Sequence, residues 1–194
     1  MRPLIVLSFV SVLALAGACD RQSAPAPQGS ETAQTAEPKE SIGRVDISKA
    51  GSAAPAAGFL GPQDQPATLA QFRGKPLMVN LWATWCGPCV REMPTLDALA
   101  GREKERFRLI AISQDMEGRR AVVPYFTRAK FTELEPFLDE KNELMLALNV
   151  DTLPTTILYD ADGKELWRVT GAMDWSGERA RTLIDGALNP PGGG

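Results

Sequence analysis

The chain has no histidine among its 194 residues and only three cysteines. Histidine is the commonest metal ligand and the commonest general base of enzymes. A structural zinc site needs about four ligands, and Cys19 lies far from the other two cysteines, Cys86 and Cys89. We therefore expect no metal site.

The chain also lacks a block of basic residues. It has 21 Lys and Arg against 24 Asp and Glu, which gives a net charge of −3. This balance argues against nucleic-acid binding and against a polybasic membrane patch. The hydrophobic fraction of 44% is enough for a core, and the length suits one domain with appendages.

Two of the three cysteines form the motif Trp85-Cys86-Gly87-Pro88-Cys89. The apolar residues 76–82 before it predict a buried strand, and residues 90–106 have helical apolar spacing. Cys86 should therefore lie at a helix start, where unpaired N–H groups and the helix dipole favour a thiolate. We predict that Cys86 is a nucleophile and that Cys89, one turn later, closes a redox-active disulfide with it.

Other interpretations of the motif are weaker. Haem attachment would need histidine after the second cysteine, and that position is Val90. A purely structural disulfide remains open, although so short a loop gains little chain entropy. Two thiolates could also hold Cu(I) in a non-enzymatic binding module.

The stretch VNLWATWCGPCVREMP, residues 79–94, resembles the thioredoxin superfamily, and within it the TlpA/ResA-type thiol:disulfide oxidoreductases. The resemblance extends over about residues 59–188. It implies an α/β, thioredoxin-like fold, with a central mixed sheet flanked by helices and a central insertion over residues 131–148. It implies no cofactor beyond the redox-active disulfide.

The same resemblance bears on the proton chemistry. Thioredoxins carry a buried aspartate where this chain has Asn80, and an amide cannot accept a proton from Cys89. Glu92 follows Cys89 by one helical turn and matches the TlpA/ResA-type pattern Cys-X-X-Cys-X-X-Glu-X-Pro. We predict that Glu92 is the catalytic base. A solvated glutamate in the first helical turn is the alternative.

The substrate-binding residues are also inferred from the resemblance. Leu153-Pro154 before a predicted strand resembles the superfamily's cis-proline, which lies opposite the disulfide. The backbone of Leu153 could then pair with an extended substrate segment. Trp85 and Pro88 should shape the docking surface, although Trp85 could instead belong to the core.

The rest of the domain shows the sequence patterns of regular strands and helices. Apolar runs predict strands over residues 107–113, 155–159 and 165–170, and amphipathic spacing predicts helices over residues 117–130 and 175–188. The last two strands form a hairpin that is expected to end the sheet. We place the domain at residues 58–189, followed by a flexible tail at residues 190–194.

The N-terminus resembles an export signal. Residues 1–18 combine Arg2, an apolar run and a small-residue cleavage site, and Cys19 follows as in a lipoprotein signal. We predict lipidation of Cys19, with cleavage before a free cysteine as the alternative. Residues 19–57 are predicted to be a flexible linker because they are poor in large apolar residues. A short strand at Val45 and Ile47 is a further possibility.

These features predict a monomeric, lipid-anchored protein-disulfide reductase on the periplasmic face of a bacterial membrane. Expected partners are exported disulfide-containing proteins, such as apocytochrome c, and a membrane thiol-electron transporter. The alternatives are the same fold acting as an oxidant or isomerase, a peroxide-reducing enzyme of the superfamily, and the Cu(I) module.

Overall fold

The computed structural model describes residues 43–189. The predicted signal peptide, Cys19, most of the predicted linker and the tail lie outside the described residues, so the predictions made for them stay predictions.

An eight-stranded mixed sheet forms the centre of the domain, in the order β1-β8-β7-β4-β5-β6-β2-β3. Strands β4, β5 and β6 are parallel, and the other pairings are antiparallel. The strands are β1 Arg44–Asp46, β2 Gly58–Leu60, β3 Pro66–Thr68, β4 Leu77–Trp82, β5 Arg108–Ser113, β6 Pro136–Leu138, β7 Thr155–Tyr159 and β8 Glu165–Thr170.

Four α-helices cover the sheet. They are α1 Gly87–Glu103, α2 Arg119–Ala129, α3 Glu143–Ala147 and α4 Glu178–Leu188, and a short 3₁₀ helix spans Leu69–Phe72. Two buried apolar clusters result, one containing residues of α1 and α4 and the other containing residues of α3. This is the predicted α/β arrangement of a mixed sheet flanked by helices.

Strand β4 is the centre of the molecule, and all six of its residues are buried. Its side chains alternate between the two clusters, with Met78 and Trp82 in the α1 cluster and Val79 and Leu81 in the other. Asn80 shares the strand face of Met78 and Trp82. The strand period therefore directs the one polar side chain of β4 toward α1.

The structure corrects the predicted linker boundary at residue 57. Residues 44–46 form β1, in which Val45 lies opposite Val169 of β8, and Ala53 makes an isolated bridge to Lys164. The alternative of a short strand at Val45 and Ile47 is thus confirmed at Val45, whereas Ile47 lies just beyond β1 and is exposed. Consequently the β7–β8 hairpin does not end the sheet, because β1 covers the outer edge of β8.

Candidate active site

The motif lies between the central strand and helix α1. Cys86 is the N-cap residue of α1, its Sγ accepts a hydrogen bond from the Cys89 N–H at 3.3 Å, and Pro88 occupies the first turn. The two sulfur atoms form the predicted disulfide, with an S–S distance of 2.02 Å. Cys86 is 7% exposed and Cys89 is 0% exposed, so only the Cys86 sulfur can be approached from solvent.

A buried carboxylate that sequence reasoning missed fixes the loop before Cys86. Asp115 accepts hydrogen bonds from the Thr84 N–H at 2.9 Å, the Thr84 Oγ1 at 2.6 Å and the Ser113 Oγ at 2.6 Å. Asp115 follows β5, the parallel neighbour of β4. The signal in the sequence is a polar residue two positions after a buried strand, since the carboxyl ends of adjacent parallel strands meet at one edge of the sheet.

A groove of about 920 Å³ runs beside the disulfide, and it contains most of the predicted substrate-binding residues. Trp85, Cys86, Pro88 and Leu153 all line it. Trp85 is 70% exposed, so it belongs to the surface of the groove and not to the core.

The groove also has a wall that the sequence did not indicate. Met116, which follows β5, and Leu146 of α3 line it and are 80% and 70% exposed. Three of the four large apolar side chains that are strongly exposed in residues 43–189 thus converge on this groove. Exposed apolar groupings of this kind mark binding surfaces.

The Leu153–Pro154 peptide bond is cis, as predicted. Pro154 is buried directly before β7, whereas Leu153 is half-buried at the groove. None of the hydrogen bonds among the described residues uses the Leu153 N–H or C=O. The backbone at Leu153 is therefore available to a bound peptide.

Glu92 is a buried carboxyl group on the inner face of α1, with 3% exposure. Its Oε1 accepts a hydrogen bond from Asn80 Nδ2 at 2.8 Å. Its Oε2 accepts from the Met173 N–H at 3.0 Å and from Trp175 Nε1 at 3.3 Å. Burial raises the pKa of Glu92 from 4.5 to about 7, although these three hydrogen bonds act in the opposite direction. The alternative of a solvated first-turn glutamate is therefore wrong.

Asn80 serves as a hydrogen-bonded residue of β4. Its Nδ2 donates to Glu92 and also to Thr156 Oγ1, at 2.9 Å. Its Oδ1 is buried and has no hydrogen-bond partner among the described residues. The amide thus supports Glu92 and keeps one unused acceptor beside it.

The raised pKa of Glu92 predicts a stability that falls as pH increases. Between pH 4.5 and about 7 the folded chain binds this proton and the unfolded chain does not, so the free energy of unfolding decreases through that interval. Glu92 should lower the free energy of unfolding by about 3 kcal/mol in total. This loss should be complete near pH 7 and constant at higher pH. Urea unfolding of the disulfide form between pH 4 and pH 8 measures this.

Glu92→Gln provides the comparison for that titration, because the amide does not ionise. We expect this variant to lose most of the decline between pH 4.5 and 7. Parallel curves for the two proteins would show that Glu92 keeps an ordinary pKa in the folded state.

Within residues 43–189, no group of three or more Cys, Asp or Glu side chains is placed to hold a metal ion. None of the helices in that part of the chain is long and apolar enough to cross a membrane.

A Cys-X-X-Cys disulfide lies at the start of the helix that follows the central strand β4, and a cis-proline lies directly before β7, the antiparallel neighbour of β4. This arrangement in a mixed sheet defines a thioredoxin-like protein. The chain belongs to the Redoxin family, whose model matches residues 49–184. The predicted TlpA/ResA-type relationship and the predicted fold are both confirmed by the relatives described next.

Thiol-disulfide oxidoreductase ResA from Geobacillus kaustophilus is 34% identical over 106 residues, which cover 54% of this chain and 60% of the relative. The chain thus spans less than two thirds of that relative's length. A proposed thiol:disulfide interchange protein DsbE from Chlorobium tepidum has a TM-score of 0.63 and 25% identity, over 72% of this chain and 98% of that one. A proposed thiol-disulfide oxidoreductase from Bacteroides vulgatus has a TM-score of 0.62 and 29% identity, over 72% of this chain and 96% of that one.

Proposed function

We propose that this protein is a thiol:disulfide oxidoreductase that reduces disulfides in other proteins through Cys86 and Cys89. The observation that carries the proposal is the position of the disulfide. One sulfur lies in the wall of an open apolar groove, and the other is fully buried behind it. The names of the ResA and DsbE relatives support the same reaction class.

The first step begins with reduced protein. The Cys86 thiolate attacks one sulfur of the substrate disulfide, so that a Cys86–substrate bond forms and the other substrate sulfur leaves as a thiolate. The N-cap position of Cys86 favours its anionic form. The greater exposure of Cys86 supports it as the attacking thiol.

The second step releases the substrate. Cys89 loses its proton to Glu92 and attacks the Cys86 sulfur, which forms the Cys86–Cys89 bond and expels the second substrate thiolate. Two electrons pass from the protein dithiol to the substrate. Glu92 is suited to take the proton, because it lies one turn after Cys89 and its pKa is near 7.

The groove suits an extended polypeptide segment. The free backbone groups of Leu153 can pair with the segment as an added strand, as predicted for Leu153 and Pro154. Trp85, Met116 and Leu146 offer apolar contacts to side chains on either side of the reacting cystine. Proteins in which such a segment is accessible, apocytochrome c among them, are therefore the proposed substrates.

The direction of electron flow is tested by the reduction potential. Gly87-Pro88 between the cysteines resembles the reducing members of the superfamily, and we expect a value nearer the roughly −270 mV of thioredoxin than the roughly −120 mV of DsbA. Equilibration with glutathione, read by thiol trapping and mass spectrometry, gives the potential. A value near that of DsbA would instead identify an oxidant.

We further propose that the protein works outside the cytoplasm, tethered by a lipid on Cys19 and supplied with electrons by a membrane thiol transporter. The signal-like residues 1–18 and the following Cys19 support this. We expect Cys19→Ser to release the protein from membranes and to keep the Cys86–Cys89 activity unchanged. Membrane fractionation and mass spectrometry of the mature N-terminus measure this. An unmodified N-terminus in the wild type would contradict the anchor.

A further inference from the structure

The groove beside Cys86 has a wall segment that the sheet does not hold. Residues 150–153, which connect α3 with the cis-proline Pro154, all line the groove. In the part of the chain that the structure describes, no backbone–backbone hydrogen bond comes from the N–H groups of residues 151–153. The position of this segment therefore depends on how its two ends are held.

The two ends of the segment are held differently. At the Pro154 end, the Gly171 N–H donates to the Pro154 carbonyl at 2.9 Å, and Thr155 Oγ1 donates to the Thr152 carbonyl at 2.8 Å. The other end begins at Leu148, the C-cap residue of α3. Because the last carbonyls of a helix have no partner within the helix, the Leu148 carbonyl needs donors from elsewhere.

Two cationic side chains donate to the Leu148 carbonyl. Arg168 Nη1, from β8, donates to it at 3.0 Å, and Lys49 Nζ donates to the same oxygen at 3.1 Å. Lys49 belongs to residues 19–57, the predicted linker, and neither cation lines the groove. The α3 end of the wall segment is thus fixed by β8 and by the residues after β1.

Arg168 is itself held by a buried ion pair. Its Nε and Nη2 donate to the two carboxylate oxygens of Glu165, each at 2.7 Å, and both residues are buried. Residues three apart in a regular strand point to opposite faces. The pairing of β8 with β7 shifts by one residue at Leu166, and this bulge brings Glu165 and Arg168 to one face. The ion pair therefore leaves Nη1 of Arg168 directed at Leu148.

We propose that Arg168 is a positioning residue for substrate recognition, which holds the wall of the groove through the Leu148 carbonyl, and that the half-buried Lys49 contributes less. This deepens the proposed function and rests on it. Because Arg168 acts on the wall and not on the disulfide, it favours substrates that are extended enough to pair with Leu153. The reaction of Cys86 with a small disulfide does not depend on it.

The buried ion pair requires a paired substitution. Arg168→Met alone would leave the Glu165 carboxylate buried without its partner. Glu165→Leu with Arg168→Met removes both charges, an exchange that proteins often tolerate, and it also removes the donor to Leu148. Lys49→Met removes the second donor without touching the ion pair.

Arg119→Met is the matched control. Arg119 also donates both to a carboxylate and to a backbone carbonyl, those of Asp64 and Pro62, each at 2.8 Å. It does not line the groove. This variant therefore removes the same kinds of contact at a place where the proposal expects no effect on substrate binding.

The first readout is the kinetics of the reduced protein with a synthetic extended peptide that contains one internal cystine. We expect the double variant to raise KM by about tenfold and to keep kcat, because it loses binding and not chemistry. Lys49→Met should give a smaller rise, and Arg119→Met should match the wild type. The rate of reduction of oxidised glutathione should be the same in all four proteins.

The second readout needs no substrate. The N–H groups of residues 148–150 donate to carbonyls of α3, so their hydrogen exchange in the disulfide form reports how firmly this end is held. We expect exchange at residues 148–150 to be about tenfold faster in the double variant, and exchange in β4 and α1 to match the wild type. Amide exchange followed by NMR measures this.

The proposal requires both changes in the folded double variant, and the absence of either one would overturn it. Faster exchange throughout the chain, with a lower kcat, would show a structural role only and would overturn it as well. If the wild type reduced no disulfide at all, the proposed function would fail. The exchange at residues 148–150 would still show whether Arg168 holds the wall segment.

Discussion

Cys89→Ser is expected to accumulate a stable mixed disulfide with its substrates, and Cys86→Ser is expected to form none and to lose turnover completely. We expect Cys86 alone to reach a substrate sulfur, because Cys89, in the first turn of α1, is fully buried. Without Cys89 the attack still occurs, but nothing resolves the mixed disulfide. Non-reducing electrophoresis followed by mass spectrometry of the trapped adducts measures both results.

Alkylation of the reduced wild type provides an independent check on which thiol attacks. We expect Cys86 to react rapidly at neutral pH and Cys89 to react slowly. A double variant, Cys86→Ser with Cys89→Ser, serves as the control for nonspecific adducts. Adducts on Cys89 in the Cys86→Ser variant, or equal alkylation of the two thiols, would contradict the assignment of Cys86 as the nucleophile.

Glu92→Gln should slow the reduction of protein disulfides by roughly 10²–10⁴-fold, the usual contribution of one general base. The variant should still fold, because a Gln oxygen can accept from Met173 and Trp175. Its Nε2 can then donate to Asn80 if that amide rotates to present its unpartnered Oδ1. The pH dependence of the rate near pH 7 should disappear together with the titrating group. Stopped-flow turnover between pH 5 and pH 9 measures both effects.

Asn80→Asp offers a rescue of that loss. In the double variant Glu92→Gln with Asn80→Asp, a carboxyl returns to the same buried contact, so part of the rate should be recovered with a new pH profile. Glu105→Gln, at an exposed position after α1, is the control for the loss of one negative charge. A wild-type rate and pH profile in Glu92→Gln would leave Glu92 with a structural role only.

The elements around the motif could be predicted because their patterns are local. The apolar run that forms β4 and the helical spacing after Cys89 placed the disulfide between a strand and a helix, which is where the structure has it. The one-turn spacing from Cys89 and the resemblance to the TlpA/ResA-type pattern together indicate Glu92. Its burial could not be read from the sequence, because burial depends on Met173 and Trp175, which lie 81 and 83 residues later.

Other parts of the fold and of the candidate site depend on contacts that no local sequence pattern encodes. The three-residue strand β6 is too short for periodicity, and it exists because β5 and β2 offer it edges. Asp115 lacks any motif, and its role follows from the adjacency of β4 and β5. The apolar wall of Met116 and Leu146 likewise arises from two segments that meet only in the folded chain.

Strand β1 has a mechanical consequence. Any pull on the chain that precedes residue 43 enters the domain at Gly43, whose N–H donates to the Ala172 carbonyl and whose carbonyl accepts from Arg179. It then loads the three-residue ladder between β1 and β8 at the outer edge of the sheet. Ala172 directly precedes Met173, whose N–H contacts the Glu92 carboxylate. We therefore expect tension on the N-terminal segment to reach the Glu92 contact before it reaches the disulfide, from which β1 is separated by β8, β7 and β4.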